Sequence, residues 1–372
     1  MRILWIPHAA WRIPQRANLF CRALSKTHEV HVTDWAADYF TWRDYLTRRY
    51  LNNFSYRLSR DENITVHGIP RISPALYSVA VRRWNAGVFS VWVDRIIRRY
   101  RIDVVVGTFV VRPPIAPRLV FDLFDDNVAL WRQYGSGKGY AGEIESTERA
   151  YLQFADMIVA ASSVLAEKAG AVSSRPVRHI PNGVNLDLYK NADGTLLRTQ
   201  WNVSGSIVGM LGNHDKPAEL MNVLDTAKML IHHPLTFIVA GRGSAVPEAK
   251  KRALKEGLTN VKFTEEVAME NAAEVVGAFD MGLCTYAKTP ADDARSPMRL
   301  LMYAAAGLPT VCTDLEEVRR MQLPNVIRVE DNPQAYADGI LRARRLPRSI
   351  PKEITAYDLN RLTAQYEEAL KG

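Results

Sequence analysis

Short apolar runs alternate with stretches of helical periodicity along the whole chain. Strands are predicted at residues 3–7, 29–33, 103–107, 119–124, 155–161 and 177–180, each a run of apolar, often β-branched residues. Residues 14–25 carry the spacing of an amphipathic helix, and a long basic helical stretch precedes the strand at 103–107. A polar, turn-rich segment at 185–206 breaks the pattern, which then restarts. Strands are predicted at 206–211, ended by Gly212, and at 235–241, 261–263, 281–285 and 310–313, with helix over roughly 218–232 and a terminal helix over 359–370. Strand–helix alternation of this kind implies parallel sheets in an α/β fold. Two successive runs of it imply two domains: residues 1–185 and residues 206–350, joined by a linker at 186–205, with 351–372 returning toward the first domain. Ligands of such sheets are expected at the carboxyl ends of the strands.

One helix has both ends marked. Ser296 suits the N-cap and Pro297 the first helical position. Gly307 suits a left-handed close, and Pro309 prevents continuation. A helix start presents unpaired N–H groups and the positive end of a dipole, so it holds anions. Arg299 in the first turn opposes that dipole, and an anion seated between them resolves the opposition.

Composition narrows the setting. The 372 residues are 47% hydrophobic, enough for two cores, and no apolar run reaches the length of a membrane span. The first six residues read as a strand rather than a signal peptide. Cys21, Cys284 and Cys312 are far apart and lack metal-ligand spacing, which fits a reduced, cytoplasmic setting. The formal net charge of +8 favours anionic partners, and no nucleic-acid signature accompanies it. Two basic-aromatic tracts, at 42–57 and 82–101, fit either contact with an anionic membrane face or a solvated helix face over buried aromatics.

Several elements carry a family resemblance in order along the chain. Pro181-Asn182-Gly183-Val184 opens a segment running to Tyr189 that resembles the PNGVD…F signature of glycosyltransferases with the GT-B fold. Ala155-Asp156 with Ala161-Ser162-Ser163, and residues 280–286, resemble further elements of that family. Residues 296–311 resemble its SP-x-K-L-x-E-Y-x-A-x-G-x-P-V-V segment. The resemblance implies two Rossmann-like domains facing across a cleft, the second holding a nucleotide-diphosphate sugar and the first mainly the acceptor. It implies transfer of the sugar to a hydroxyl of a glycan or lipid-linked acceptor, with retention of configuration, no cofactor and no metal. A cytoplasmic location is expected, at the inner face of the cytoplasmic membrane if the acceptor is a lipid.

The resemblance also assigns residues. Ser296, Pro297, Met298, Arg299 and Leu300 would lie against the diphosphate, with Arg299 in place of the usual Lys. Gly212, Lys216 and Arg242 would add phosphate or nucleotide contacts, and Glu266 and Val267 would contact the base. Asp125 falls on the position of a catalytic His, where it would bind sugar hydroxyls, steady positive charge or accept a proton. Asp126 would either touch the acceptor or cap the next helix. His8 is either a base or a packing residue, Trp11 would stack on sugar or lipid, and Arg12 and Arg16 would meet a phosphate. Met302 stands where the family carries a ribose-binding Glu, and Ala294 at its earlier acidic partner, with Asp292 and Asp293 out of register. That departure keeps two alternatives open: an inactive binding or scaffold subunit, and a nucleotide-sugar epimerase on the same fold.

Overall fold

The computed structural model describes residues 1–34, 52–72, 78–110, 112–135, 139–264 and 267–372. These form two compact units, Met1–Pro181 with Asn360–Gly372, and Asn182–Leu359. The basic-aromatic residues 42–51 and Glu266 lie outside the described residues.

The first unit is built on eight strands: β1 (Arg2–Trp5), β2 (Glu29–Asp34), β3 (Arg57–Asp61), β4 (Ile64–Gly68), β5 (Val104–Gly107), β6 (Leu119–Leu123), β7 (Met157–Ala160) and β8 (Val177–His179). Their order across the sheet is β3-β4-β2-β1-β5-β6-β7-β8, and all pairings are parallel except β3 with β4. β1, β5, β6 and β7 are almost wholly buried, as parallel strands covered on both faces must be. The β3–β4 hairpin is an addition to the predicted elements. β3 reads Arg-Leu-Ser-Arg-Asp and is almost entirely exposed at the sheet edge, so it gives no apolar run to detect.

The terminal helix Leu359–Lys371 contributes to this unit through Tyr366, which packs on Trp5 and Phe20. Its hydroxyl donates to Asp122 Oδ1 at 3.0 Å. The same carboxylate receives Arg16 Nε at 3.0 Å, with both charged side chains at most 4% exposed. Arg16 Nη2 also donates to the carbonyl of Ile180 at 2.6 Å. This buried ion pair ties the helix Arg16–Leu24 to β6 and to the end of the chain.

The second unit is a six-stranded, wholly parallel sheet: β9 (Ser206–Leu211), β10 (Leu235–Ala240), β11 (Val261–Phe263), β12 (Met281–Cys284), β13 (Thr310–Thr313) and β14 (Val326–Val329), in the order β11-β10-β9-β12-β13-β14. Alternate residues of β9 feed two cores: Ile207 and Leu211 pack with Phe279, Leu301 and Tyr303, whereas Val208 and Met210 pack with Phe237, Val223 and Tyr336. β14 is a half-buried edge strand, and its pattern does not separate it from a loop in the sequence. Residues 186–205, read above as a linker, carry two short helices, Leu186–Lys190 and Thr195–Gln200.

Buried histidines give the fold a pH dependence. In the first unit His31 and His67 sit 2.9 Å apart, flanked by Glu29 and by the Tyr56 hydroxyl. Burial, with the charges of its neighbours, lowers the His67 pKa to about 4, and burial lowers that of His31. His214 in the second unit is likewise lowered to about 4 by burial. Below the ordinary imidazole range the unfolded chain binds protons that these rings refuse, so stability falls as pH drops toward 4. Glu148, raised to about 7 mainly by burial, and Glu219, also raised by burial, act in the opposite sense over part of that window. The four lowered histidines, His8 among them, outnumber these two carboxyls, and each contributes on the order of 1 kcal/mol. Urea unfolding is expected to show lower stability at pH 5 than at pH 7, and equal or greater stability at pH 5 would contradict this assignment.

Candidate active site

In the second unit the loops after β9 and β10 are laced together. The N–H of Gly212 donates to Ala240 O at 3.0 Å, that of His214 to Arg242 O at 2.7 Å, and that of Ala245 to His214 O at 3.1 Å. The approach is close enough to require glycine: a Cβ on Gly241, at φ +119°, would lie 2.1 Å from the Gly212 carbonyl oxygen. His214 is buried with Nε2 3.0 Å from Ala240 O, which places its proton there and leaves Nδ1 an unpartnered acceptor.

The helix Met298–Ala305 begins beside these loops. Its N-cap is Pro297, one residue later than predicted, and no side chain caps it. Ser296 has another use. Its hydroxyl accepts from the Asn182 N–H at 3.3 Å, and its carbonyl accepts from Asn182 Nδ2 at 2.8 Å. The Pro-Asn-Gly-Val turn thereby holds the helix start in place, two sequence motifs meeting across 114 residues. Leu300 N–H is taken up by Pro297 O at 3.1 Å. The N–H groups of Met298 and Arg299 find no acceptor among the described residues.

Arg299 completes the arrangement. A Cβ placed on Gly212 would lie 3.1 Å from Arg299 Nη2, so the guanidinium covers the glycine. It also stacks on Tyr286 at 5.3 Å. Its Nη1 is buried with no hydrogen-bond partner, and it makes no ion pair among the described residues. Burial opposes its charge, but the pKa is held above the usual guanidinium range by Tyr286 and Glu219. Lys216 differs. Its ammonium lies 2.8 Å from Asp292, a fully buried carboxylate that also receives Arg295 at 3.2 Å. A helix start with two open N–H groups and an unpaired guanidinium is chemically a site for a phosphate-like anion.

In the first unit the loops after β1, β5 and β6 come together. His8 stacks on Phe124 at 4.0 Å, Phe109 lies 5.9 Å from the same ring, and Asp125 follows it in the chain. Burial lowers the His8 pKa to about 4, so its ring is neutral at pH 7. Asp126 caps the helix Asn127–Tyr134 by accepting from Ala129 N–H at 3.1 Å and pairs with Lys168 at 2.8 Å.

Residues 205–345 match the family described as "Glycosyl transferases group 1". The chain is 26% identical over 356 residues to the putative colanic acid biosynthesis glycosyl transferase WcaI of Escherichia coli, covering 86% of this chain and 85% of that protein. It is 26% identical over 190 residues to the putative teichuronic acid biosynthesis glycosyltransferase TuaH of Bacillus subtilis, covering 49% of this chain and 46%, about half, of that relative's length. The chain is thus similar to the group 1 glycosyltransferases over residues 205–345 and to a bacterial glycosyltransferase over most of its length. Its fold is that of GT-B enzymes: the structure of Anabaena HepE in complex with UDP-glucose superimposes with a TM-score of 0.71 at 16% identity, over 100% of this chain and 99% of that one.

The geometry sorts the expected site residues of this glycosyltransferase. Gly212, Met298 and Arg299 are brought together. Ser296, Pro297 and Leu300 belong to the same turn but are buried, with Ser296 committed to Asn182 and Leu300 to the core. Lys216 is engaged by Asp292, Arg242 is exposed and offers its carbonyl to His214, and Val267 packs against the core. Asp292, out of register in the sequence, is the internal counter-ion of Lys216 and Arg295.

Two acceptor expectations are corrected. Arg16 is enclosed with Asp122 and almost wholly buried, so it is not open to a phosphate. Trp11 is 7% exposed, its indole N–H donating to Asp61 at 2.7 Å and its backbone N–H to Asp34 at 2.9 Å, so its ring is not open for stacking. Arg12 is exposed. Sequence reasoning missed His214 and Glu219, buried groups beside Arg299 that no family motif flags. Among the described residues no group of three or more His, Cys, Asp or Glu side chains is placed to hold a metal, and no helix is long and apolar enough to cross a membrane.

Proposed function

We propose that this glycosyltransferase takes its sugar from a nucleotide-diphosphate donor and passes it to a hydroxyl of a glycan or lipid-linked acceptor with retention of configuration. The observation that carries the donor assignment is Arg299. A half-buried guanidinium with an unpaired Nη1, over a bare glycine and beside two open helix N–H groups, suits the two phosphates of a leaving nucleoside diphosphate. The structural likeness to HepE, solved with UDP-glucose, supports a donor of this class, and relatives named for teichuronic and colanic acid biosynthesis support a polysaccharide or glycolipid product.

Chemistry at the anomeric carbon is assigned to the first unit. Asp125 stands at the end of the loop after β6, beside the His8–Phe124 stack. In this reading it steadies positive charge on the transferred sugar or binds its hydroxyls. His8, neutral at pH 7, is an acceptor for an acceptor hydroxyl.

A panel of nucleotide sugars, with nucleoside diphosphate release as the readout, tests the proposal. At least one is expected to turn over, and NMR of the product is expected to show the donor's anomeric configuration. Asp125→Asn is expected to lower turnover by about 100-fold without changing donor affinity. Unchanged turnover in that variant removes Asp125 from the chemistry.

A further inference from the structure

We propose that the acceptor of this glycosyltransferase is an anionic saccharide, whose phosphate or carboxylate is held by Arg83 and Arg112 in a cavity of the first unit. This rests on the glycosyltransferase reading above and specifies its acceptor.

The cavity has a volume of about 670 Å³. It lies where the chain leaves the carboxyl ends of three parallel strands, through Arg71 beyond β4, His8 after β1, and Phe109 and Arg112 after β5. The N-terminal turns of two helices close it: Val79–Tyr100, through Arg82 and Arg83, and Tyr140–Phe154, through Tyr140 and Glu143.

Its charge is one-sided. Four arginines, Arg71, Arg82, Arg83 and Arg112, line it against one carboxylate, Glu143. That carboxylate is already committed. Arg82, 8% exposed, grips it through Nε at 2.9 Å and Nη2 at 2.8 Å, with its guanidinium 5.2 Å from the Tyr140 ring centroid. Asn85 fixes the neighbouring wall by bonding both the N–H and the carbonyl of Ile72 at 2.8 and 2.7 Å. Arg83 and Arg112 are exposed and have no carboxylate partner among the described residues. Two helix N-termini add positive potential on the same side. Arg83, early in the helix Val79–Tyr100, and Arg112, in the loop after β5, add two uncompensated positive charges to this wall, and an anion offsets their repulsion. Neutral His8 adds no charge and leaves a polar edge for a sugar hydroxyl.

The test uses the full chain and three small probes: methyl glucoside, methyl glucuronide and glucose 6-phosphate. Saturation-transfer NMR ranks their binding, and a thermal shift with nucleoside diphosphates is run in parallel. One or both anionic probes are expected to bind at least tenfold tighter than the glucoside, with the preference declining as salt is raised. Preference for the glucuronide assigns a carboxylate, and preference for the sugar phosphate assigns a phosphate. Arg83→Ala with Arg112→Ala should abolish the preference, whereas Arg344→Ala with Arg345→Ala, an equal change in charge on the second unit, should retain it. The inference is overturned if the neutral glucoside binds as well as the anionic probes, or if the cavity variant keeps the preference. A nucleoside diphosphate shift in the same samples separates the two readings. Its presence without an anionic preference sinks this inference alone, and its absence sinks the donor assignment on which it rests.

Discussion

Replacing Arg299 with Ala is expected to lower kcat/KM by at least about 100-fold, the scale of losing one preorganised charge partner of a leaving group. The side chain covers Gly212, lies on the face of Tyr286 and keeps one nitrogen buried without a partner. Among the described residues Lys216 and Arg295 share Asp292 as their counter-ion, whereas Arg299 makes no ion pair. Removal also leaves Glu219, whose pKa burial already raises, with less positive charge beside it. Circular dichroism therefore accompanies the kinetics, to separate lost catalysis from lost structure. Arg299→Lys keeps a point charge and is expected to retain more activity than Arg299→Ala while losing the fork geometry. Wild-type activity in folded Arg299→Ala would remove this residue from the donor site.

The second large effect falls on stability. Arg16→Ala leaves Asp122 without its cation in a site where both partners are at most 4% exposed, and breaking such a pair costs about 3–5 kcal/mol. The loss also strips the Ile180 carbonyl of its donor and removes the cation packed on Phe20. An apparent Tm lower by roughly 10 °C is expected, read by differential scanning fluorimetry. The paired variant Arg16→Met with Asp122→Leu should recover part of that loss, because it avoids a lone buried carboxylate while the Tyr366 hydroxyl and the Ile180 carbonyl stay without these partners. A Tm within about 2 °C of wild type for Arg16→Ala would show that the pair carries little stability.

The parallel strands were legible in the sequence because a strand buried on both faces is a continuous apolar run, and β9 is an instance bounded as predicted. The β3–β4 hairpin escaped because its edge strand is exposed and polar, so no hydrophobic period distinguishes it from a loop. At the helix Met298–Ala305, the cap signals located the turn but placed it one residue early. Ser296 satisfies a backbone donor at Asn182 instead of one in its own helix, a partner 114 residues away that no local pattern encodes. Trp11 and Arg16 illustrate the converse. Residue type suggested ligand contacts, but fixed carboxylates at Asp61 and Asp122 hold them inside the unit. The arginine-lined cavity was not legible because Arg71, Arg83, Arg112 and Tyr140 come from four separate segments that only the sheet order brings together.

Binding of a nucleoside diphosphate by the second unit is expected to depend on Arg299. Thermal unfolding of the wild-type chain with UDP, GDP, ADP, CDP and TDP, and with their sugars, tests it most directly, since a ligand of the folded state raises Tm in proportion to its occupancy. A concentration-dependent rise is expected with at least one of these ligands, and no rise with the same ligand in Arg299→Ala. No rise with any of them, or an equal rise in the variant, would contradict it.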